Sequence, residues 1–449
     1  MSRAMFDTLV YRDNTLKIAP QLATSWQTID DLTWEFKLRT DVKFHNGEPL
    51  DATAVKFSID RFIDPQQKAG SASRLSEVDR TDIVDSSTVH IHTRTPFPTL
   101  LLGLNWAFIL PPKYTQENPD RLGQQPVGTG PFKFVDWAQG DHVTMAANES
   151  YFGGRPSLDK FTYRIIPDDS ARFAALKAGE IDIMQNVPLD SLDEVSKDPS
   201  LTVAQSYTEA GLIFEFDTLH GGPTANEKVR QALNYAVDKQ TIITSILHGK
   251  VKPLEGQILT DGILGFNPDV KAFPYDVAKA KQLLAEAGYP NGFEIDMNGP
   301  RGRYAGDRDV LTAVADQLQK VAVKANLNAM EPTVWNTKLG QGQVGPMFMI
   351  AWFSNGDPAL ALSWFTTKSS LGVYYNDPTF EKLMSDGNGT IDTDKRKQIY
   401  LQAMQYMNDH AMALFMYQPS TFYAIKKKVQ GFVARPDDIP TLYPVSVQG

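Results

Sequence analysis

Histidines and paired carboxylates are the residues of this sequence that could catalyse a reaction or bind a metal, and their spacing builds neither kind of site. His90 and His92 alternate on a predicted strand at residues 88–93, so both side chains share one face and could bind a metal ion. No third ligand follows nearby, which favours a solvated strand face instead. The pairs Asp168-Asp169 and Asp437-Asp438 stand in turn or helix-capping contexts.

The motifs of common enzyme classes are also missing. The sequence contains no H-E-x-x-H, no G-x-S-x-G, no phosphate-binding G-x-x-x-x-G-K-[ST] and no EF-hand loop. Gly128-Thr129-Gly130 lacks the third glycine of a dinucleotide site, and the nitrogen of Pro131 cannot donate to a phosphate. His220-Gly221-Gly222 is similar to an oxyanion strand, but no nucleophile elbow accompanies it. We therefore predict no catalytic residue, no metal and no cofactor.

Length and composition are typical of a globular protein with two or three domains. The chain has 449 residues, of which 42% are hydrophobic and 22% charged, and its net charge is −9. An acidic chain without a long basic run is a poor candidate for binding nucleic acid. The absence of cysteine excludes thiol catalysis, disulfides, cysteine metal sites and an acylated-cysteine anchor. No window approaches about 18 uninterrupted apolar residues, so we predict no membrane span.

Hydrophobic periodicity predicts mixed α/β structure. Asp51 can cap a helix in which Val55, Ile59 and Phe62 share one face. A single helix is predicted from 225 to 239, with a continuation to 247. After residue 276 helices and strands alternate, as expected for a layered α/β lobe. The predicted helices here are 276–287, 309–324 and 395–410, and the predicted strands are 293–297, 327–331, 346–352 and 413–417.

The stretch at residues 126–183 has the most specific order of elements. It begins with a tight turn at 127–131, whose two glycines are free to take positive φ. Strands then flank the hairpin signal Gly140-Asp141, and a short helix capped near Asp169 can end at Gly179.

This order of motifs resembles the family 5 extracellular solute-binding proteins, the binding subunits of ABC importers for peptides, nickel and opines. Residues 23–58 and 229–238 match further blocks of the family. The resemblance implies an α/β fold of the two-lobe periplasmic-binding-protein type, type II-like with an extra domain, with mixed sheets and the ligand between the lobes. It also implies hinge closure around the ligand, delivery to a membrane permease powered by a separate ATPase, a periplasmic location and a monomer.

The family's organisation further implies a division into three domains. Domain I would comprise residues 1–10, 155–245 and 426–449, domain II residues 11–154, and domain III residues 246–425, with crossings between lobes near Gly249 and Lys426. In the family, a signal peptide and a first strand precede the point at which this sequence starts. Without that strand, we expect an unfilled position in one sheet of domain I.

The resemblance assigns one end of a ligand to the loop at residues 298–304. In dipeptide binders an arginine and a tyrosine of the corresponding loop hold the ligand's carboxylate, which suits the guanidinium fork. Here the loop carries Arg301, Arg303 and Tyr304, and its spacing differs by one residue, so either arginine could take this role. The alternative is that both arginines are solvated loop charges. Trp106 lies in a segment similar to one whose aromatic residue reaches into the ligand cleft.

The other end of the ligand falls on residues 351–358, where the sequence departs from the family. Peptide binders usually carry an aspartate that pairs with the ligand's α-ammonium, and Asn355 stands at that position. Asp357 could turn inward, but as the residue before Pro358 it is better suited to shaping the turn. Because an amide supplies no charge, we predict weak binding of unmodified peptides. Trp352 and Phe353 are predicted to pack against the ligand.

Two other functions remain open at this point. A secreted α/β hydrolase or lyase would need an activated nucleophile or a paired acid and base, and no motif supplies either. A receptor that presents its ligand to a sensor protein cannot be distinguished from an importer subunit by these residues.

Overall fold

The computed structural model describes residues 1–67 and 69–448, which form two compact units. Unit 1 comprises residues 1–187, residues 193–204 and the segment from Phe422 onward, and unit 2 comprises residues 188–192 and 205–421. Within the described residues, no helix combines the length and the apolar character needed to cross a bilayer. The finer three-domain division remains a prediction.

Helices occur in both units and are most regular in unit 2. In chain order they are α1 (Ser2–Met5), α2 (Ala52–Ile63), α3 (Leu100–Leu104), α4 (Pro112–Glu117), α5 (Asp169–Ala178), α6 (Leu192–Lys197), α7 (Glu227–Ala236), α8 (Lys239–Ser245), α9 (Val277–Glu286), α10 (Asp307–Gln319), α11 (Pro332–Gly340), α12 (Pro358–Ser363), α13 (Pro378–Gly389) and α14 (Thr393–Asp409).

The strands build separate sheets in the two units. In chain order they are β1 (Val10–Arg12), β2 (Ile18–Pro20), β3 (Ala23–Asp30), β4 (Thr33–Leu38), β5 (Val78–Asp85), β6 (Thr88–Thr93), β7 (Phe132–Ala138), β8 (His142–Ala147), β9 (Lys160–Arg164), β10 (Ile183–Gln185), β11 (Leu201–Tyr207), β12 (Ala210–Phe216), β13 (Lys252–Pro253), β14 (Phe293–Pro300), β15 (Val323–Met330), β16 (Met347–Phe353), β17 (Ala413–Gln418), β18 (Ser420–Lys426), β19 (Val429–Gln430) and β20 (Ser446–Val447).

An antiparallel sheet with the order β3-β4-β6-β5 forms the first part of unit 1. Helix α2 packs on this sheet through Val55 and Ile59, which share a core with Phe36 and Val89. The predicted cap is confirmed, because the carboxylate of Asp51 accepts a hydrogen bond from the Ala54 N–H at 3.0 Å. Strand β6 also matches its predicted range.

Two three-stranded sheets, with the orders β7-β8-β9 and β10-β18-β11, and the two-stranded sheets β1-β2 and β19-β20 hold the other strands of unit 1. Strand β10 pairs antiparallel with β18, so that Ile183 lies opposite Ile425 and the C-terminal segment closes the sheet. Strands β9 and β10 are edge strands of their sheets. Residues of both strands line a cavity of about 1550 Å³.

The turn at 127–131 uses its glycines for close backbone packing, which corrects the expectation of positive φ. Neither Gly128 nor Gly130 adopts positive φ. A Cβ on Gly130 would lie 2.6 Å from the carbonyl oxygen of Ala4, and one on Gly128 would clash with the carbonyl oxygen of Met5. The chain segment around α1 therefore packs directly on the backbone of this turn.

A buried aspartate joins the N-terminal segment to the same turn. The carboxylate of Asp7 accepts hydrogen bonds from Gln21 Nε2 at 2.6 Å, from Thr129 Oγ1 at 2.9 Å and from the Tyr151 hydroxyl at 3.3 Å. Burial raises the pKa of Asp7 to about 7, although the hydrogen bonds from Thr129 and Tyr151 oppose this shift.

Unit 2 is a three-layer α/β unit around a six-stranded mixed sheet, ordered β13-β17-β12-β16-β14-β15. Strand β12 is antiparallel to both neighbours, whereas β14 is parallel to β15 and β16. Every residue of β12 is buried, since helices cover both faces. Side chains from α7, α9 and α10 join the core on one face, and side chains from α11 to α14 join the core on the other.

Two helix predictions in unit 2 were wrong in extent. The predicted helix from 225 to 247 is divided into α7 and α8, because Val237 is extended and Asp238 caps the second helix through the Thr241 N–H. The predicted helix at 309–324 ends at Gln319. Ala322 then takes a left-handed conformation, with φ of 61°, and β15 begins at the next residue.

The close packing at Gly130 predicts a loss of stability on substitution. We expect Gly130→Ala to lower the free energy of unfolding by about 1–3 kcal/mol, because the new methyl group overlaps the backbone of α1. Urea unfolding measures the change. Gly123→Ala is the matched control in the same unit, since nothing lies within 4 Å of its Cβ. Equal transition midpoints for the two variants would contradict the packing role.

Candidate ligand-binding site

The loop after β14 is organised by the buried carboxylate of Asp307, the first residue of α10. This carboxylate accepts hydrogen bonds from the backbone N–H groups of Gly302 at 3.1 Å, Arg303 at 2.8 Å and Tyr304 at 3.1 Å. One side chain therefore fixes the backbone that carries the predicted carboxylate-binding residues.

The two arginines of this loop have different surroundings. Arg301 is 53% exposed and forms an ion pair with Glu331, so its charge already has a counter-ion. Arg303 is exposed, donates to the amide oxygen of Asn336 at 2.9 Å, and places its guanidinium carbon 5.5 Å from the ring centre of Tyr304. The guanidinium of Arg303 therefore contacts neutral groups only, among the residues that the structure describes.

Tyr304 connects this loop to β16. Its hydroxyl oxygen accepts a hydrogen bond from the backbone N–H of Ala351 at 3.0 Å. Burial raises the pKa of the phenol. Because Ala351 directly precedes Trp352, the structure brings the predicted carboxylate-binding loop next to the predicted aromatic residues.

Trp352 and Phe353 end the strand β16. The indole Nε1 of Trp352 donates to Glu215 Oε2 at 2.7 Å, and its ring stacks on Trp364 with ring centres 4.6 Å apart. Trp352 is only 8% exposed, whereas Trp364 and Phe353 are partly buried. Trp364 therefore offers more free aromatic surface to a ligand than Trp352.

Glu215 is an acidic residue within the otherwise apolar strand β12. Burial raises the pKa of Glu215 to about 8; the hydrogen bond from Trp352 opposes this shift, and nearby Asp217 adds to it. The side chain is 1% exposed and holds the indole of Trp352 in one orientation.

The loop after β16 carries the two polar residues predicted at the ligand's other end. Asn355 has φ of 49° and Gly356 has φ of 91°, so the chain turns sharply here. Asparagine tolerates this left-handed conformation better than most residues. No hydrogen bond to the Asn355 side chain is present among the described residues, and this side chain is partly exposed.

Asp357 is fully engaged in the structure of unit 2. Its carboxylate caps α12 by accepting from the Ala359 N–H at 2.9 Å, and it pairs with Arg396 through both oxygens, one at 2.7 Å. Both side chains are buried. Arg396 also donates to the carbonyl oxygen of Gly387 at 2.9 Å and to the Tyr400 hydroxyl at 3.2 Å. The charge of Asp357 is thus balanced inside the protein.

Trp106 belongs to unit 1, where it follows α3. Two guanidinium carbons lie over its ring, that of Arg3 at 5.3 Å and that of Arg74 at 4.4 Å from the ring centre. The ring is partly buried.

The structure thus places seven of the eight predicted residues in unit 2, in the loop after β14, at the end of β16 and in the loop that follows it, whereas Trp106 lies in unit 1. Sequence reasoning missed Trp364, Glu215 and Arg396. A charged residue within the apolar run of β12 was the one available signal for Glu215. The ligand role of all eight residues remains a prediction.

Each of the two histidines considered for metal binding lies next to a carboxylate. His90 Nε2 lies 3.2 Å from Glu35 Oε2, and His92 Nε2 lies 3.0 Å from Asp82 Oδ2. No group of three or more potential ligands that could hold a metal occurs within the described part of the chain.

The buried Glu215 predicts a specific pH dependence of stability. Because the pKa of Glu215 is raised from 4.5 to about 8, its contribution to the stability of the folded state is fully present below pH 4.5 and is lost as the pH rises through 8. Glu215→Gln keeps the acceptor for Trp352 without the charge. We therefore expect the free energy of unfolding, measured in urea, to fall by about 3–5 kcal/mol less in this variant than in the wild type between pH 5 and pH 8.5. Exposed Glu294 provides the control Glu294→Gln; equal pH profiles for wild type and Glu215→Gln would contradict the prediction.

The chain is similar to a defined family of binding proteins. Residues 17–372 match the family model described as bacterial extracellular solute-binding proteins, family 5 middle region. The heme-binding protein A of Haemophilus influenzae is 30% identical, with 100% of this chain and 88% of the relative aligned. The glutathione-binding protein GsiB of Pectobacterium atrosepticum is also 30% identical, over 98% of this chain and 88% of the relative.

Solved structures give the same assignment. The periplasmic binding protein AgaA of A. tumefaciens R10, in complex with agropinic acid, superposes with a TM-score of 0.86 at 28% identity, covering 99% of this chain and 93% of that protein. The two-lobe periplasmic-binding-protein fold implied by the sequence is confirmed by this similarity. The chain belongs to the family 5 bacterial extracellular solute-binding proteins, the substrate-binding proteins of ABC importers.

Proposed function

We propose that this chain captures a carboxylate-bearing solute that has no free α-ammonium at the Asn355 position, and delivers it to a membrane permease. Capture follows the hinge closure that membership of the family implies, so that ligand binding shifts an open–closed equilibrium. The protein acts in the periplasm as a monomer and releases the solute unchanged, while a separate ATPase drives import.

The observation that carries the proposal is the pairing of Asp357 with Arg396. A carboxylate that caps α12 and balances a buried guanidinium is not available to a ligand's ammonium. Drawing it away would leave Arg396 buried without a counter-ion, which costs about 3–5 kcal/mol. Asn355 is the partly exposed polar side chain that remains in this loop, and it carries no charge.

Arg303 is the better candidate for the ligand's carboxylate. Its guanidinium contacts Asn336 and the ring of Tyr304, both neutral, whereas Arg301 already pairs with Glu331. A carboxylate can therefore bind Arg303 without displacing another anion. The arginine fork also permits two parallel hydrogen bonds to a carboxylate.

Aromatic surface completes the proposed site. Trp364 and Phe353 supply partly exposed rings, and Glu215 orients Trp352 behind Trp364. Such a site suits an opine-like, γ-linked or sugar-conjugated compound with apolar faces. Heme, glutathione and agropinic acid, which appear in the names of similar proteins, all carry carboxylates, which supports this class of solute.

The amide of Asn355 predicts a preference for a blocked amino terminus. In calorimetric titrations, we expect N-acetyl-alanyl-alanine to bind about tenfold tighter than alanyl-alanine, because the free ammonium finds no counter-charge. Asn355→Asp supplies that charge, tolerates the same backbone conformation and should reverse the order. Tighter binding of the free dipeptide to the wild type would contradict the prediction. So would the finding, by native mass spectrometry of protein purified from its own host, that the bound ligand is an ordinary peptide with a free amino terminus.

The different surroundings of the two arginines predict unequal losses of affinity. Arg303→Ala should weaken binding of N-acetyl-alanyl-alanine by about 10- to 30-fold, since the carboxylate loses its fork. Arg301→Ala is the matched control in the same loop and should change the Kd by less than about threefold. Calorimetric titration of both variants measures the two Kd values. Equal losses of affinity in the two variants, or no loss in either, would contradict the proposed role of Arg303.

A further inference from the structure

Two positive side chains share the ring of Trp106 in unit 1. The guanidinium carbons of Arg3 and Arg74 lie 5.3 Å and 4.4 Å from the ring centre. They are therefore within about 10 Å of each other, a separation at which two like charges repel measurably unless salt screens them. Cation–π contacts with the Trp106 ring stabilise both guanidinium groups in these positions.

Neither of these two guanidinium groups has a direct carboxylate partner among the described residues. Within the described part of the chain, the Arg3 guanidinium donates to Asn105 alone, at 3.1 Å to its side-chain oxygen and at 2.8 Å to its carbonyl oxygen. The Arg74 side chain forms no hydrogen bond or ion pair with any residue that the structure describes, and burial lowers its pKa. Both groups stay charged at neutral pH, as arginine does throughout this range.

The surrounding charges do not neutralise the pair. Asp437 is the nearby carboxylate, but it binds Arg435 through both oxygens, at 2.9 Å and 2.7 Å, and lies 3.9 Å from Arg12. Burial lowers the pKa of Arg3 to about 10; Asp437 opposes this shift, while Arg435, Arg12 and Arg74 add to it. The charges that act on the pKa of Arg3 are thus three other guanidinium groups and the carboxylate of Asp437.

One of the two guanidinium groups borders a cavity. Arg3 and Arg435 line the cavity of about 1550 Å³ in unit 1, which is large enough for a small organic anion, whereas Arg74 and Trp106 are not among its lining residues. A carboxylate there would meet the unpaired donors of Arg3 on the cavity wall.

We propose that Arg3 and Arg74, both against the ring of Trp106, form an anion-binding subsite of unit 1 that takes a small carboxylate-bearing ligand. The subsite is argued from the residues of unit 1 alone and does not rest on the proposed function.

Citrate is a suitable probe, because it carries three carboxylates and no peptide group. Thermal unfolding is measured in citrate and in sodium chloride at equal ionic strength, for wild type, Arg74→Gln and the control Arg80→Gln. Arg80 is exposed, lies in the same unit and pairs with Asp79 and Asp82. We expect citrate to raise the Tm of the wild type and of Arg80→Gln in a concentration-dependent way. For Arg74→Gln, the citrate concentration needed for the same shift should be about tenfold higher.

The outcomes separate the subsite from the proposed function. A citrate shift that is equal in Arg74→Gln and Arg80→Gln, or that is missing in the wild type, overturns the subsite. A merely structural Arg74 would lower the Tm of its variant in both salts without changing the citrate dependence, which also overturns it. If the citrate result holds while N-acetyl-alanyl-alanine does not bind, the subsite stands and the proposed function fails.

Discussion

The antiparallel pairing of β12 with β16 is the interaction on which most of unit 2 depends. All seven residues of β12 are buried, and each pairs with a residue of β16 in unbroken register. Because side chains alternate across a strand, this register places Trp352 on the same face of the sheet as Glu215, and the candidate loop begins where β16 ends. A slip by one residue would exchange the two cores and remove the stacking surface for a ligand.

Several charged groups in each unit are used for structure rather than for binding. Asp307 organises the loop that carries Arg303, Asp357 balances Arg396, and Asp7 joins the N-terminal segment to the turn at Thr129. Buried charges of this kind are costly unless they are fully hydrogen-bonded. Residue type alone therefore does not identify a ligand-binding carboxylate, and the groups that remain unneutralised are more informative than those that are paired.

Local patterns predicted the elements better than their limits and side-chain partners. The cap at Asp51 and the spacing of Val55 and Ile59 give α2, because both are properties of adjacent residues. The end of α10 was missed because Val321 and Val323 are both apolar and buried, while the left-handed Ala322 between them carries no local signal. The candidate loops were placed through family resemblance. The partner of Asp357 lies 39 residues away on α14, where no local signal indicates it.

The pairing of β10 with β18 also affects how the polypeptide is made. Strand β10 is synthesised before residues 205–419, whereas its neighbour β18 is synthesised after them, with Ile183 opposite Ile425. The ribosome therefore releases almost all of unit 2 before β18 is complete. Domains generally fold as units during synthesis, so unit 2 can fold first. The early residues of unit 1 can complete their fold only after the C-terminal segment has been synthesised. Loss of the segment from Phe422 onward would leave most of unit 2 intact but would remove the residues of β18 that pair with β10. The resistance of this C-terminal segment to proteolysis therefore reports whether unit 1 has folded.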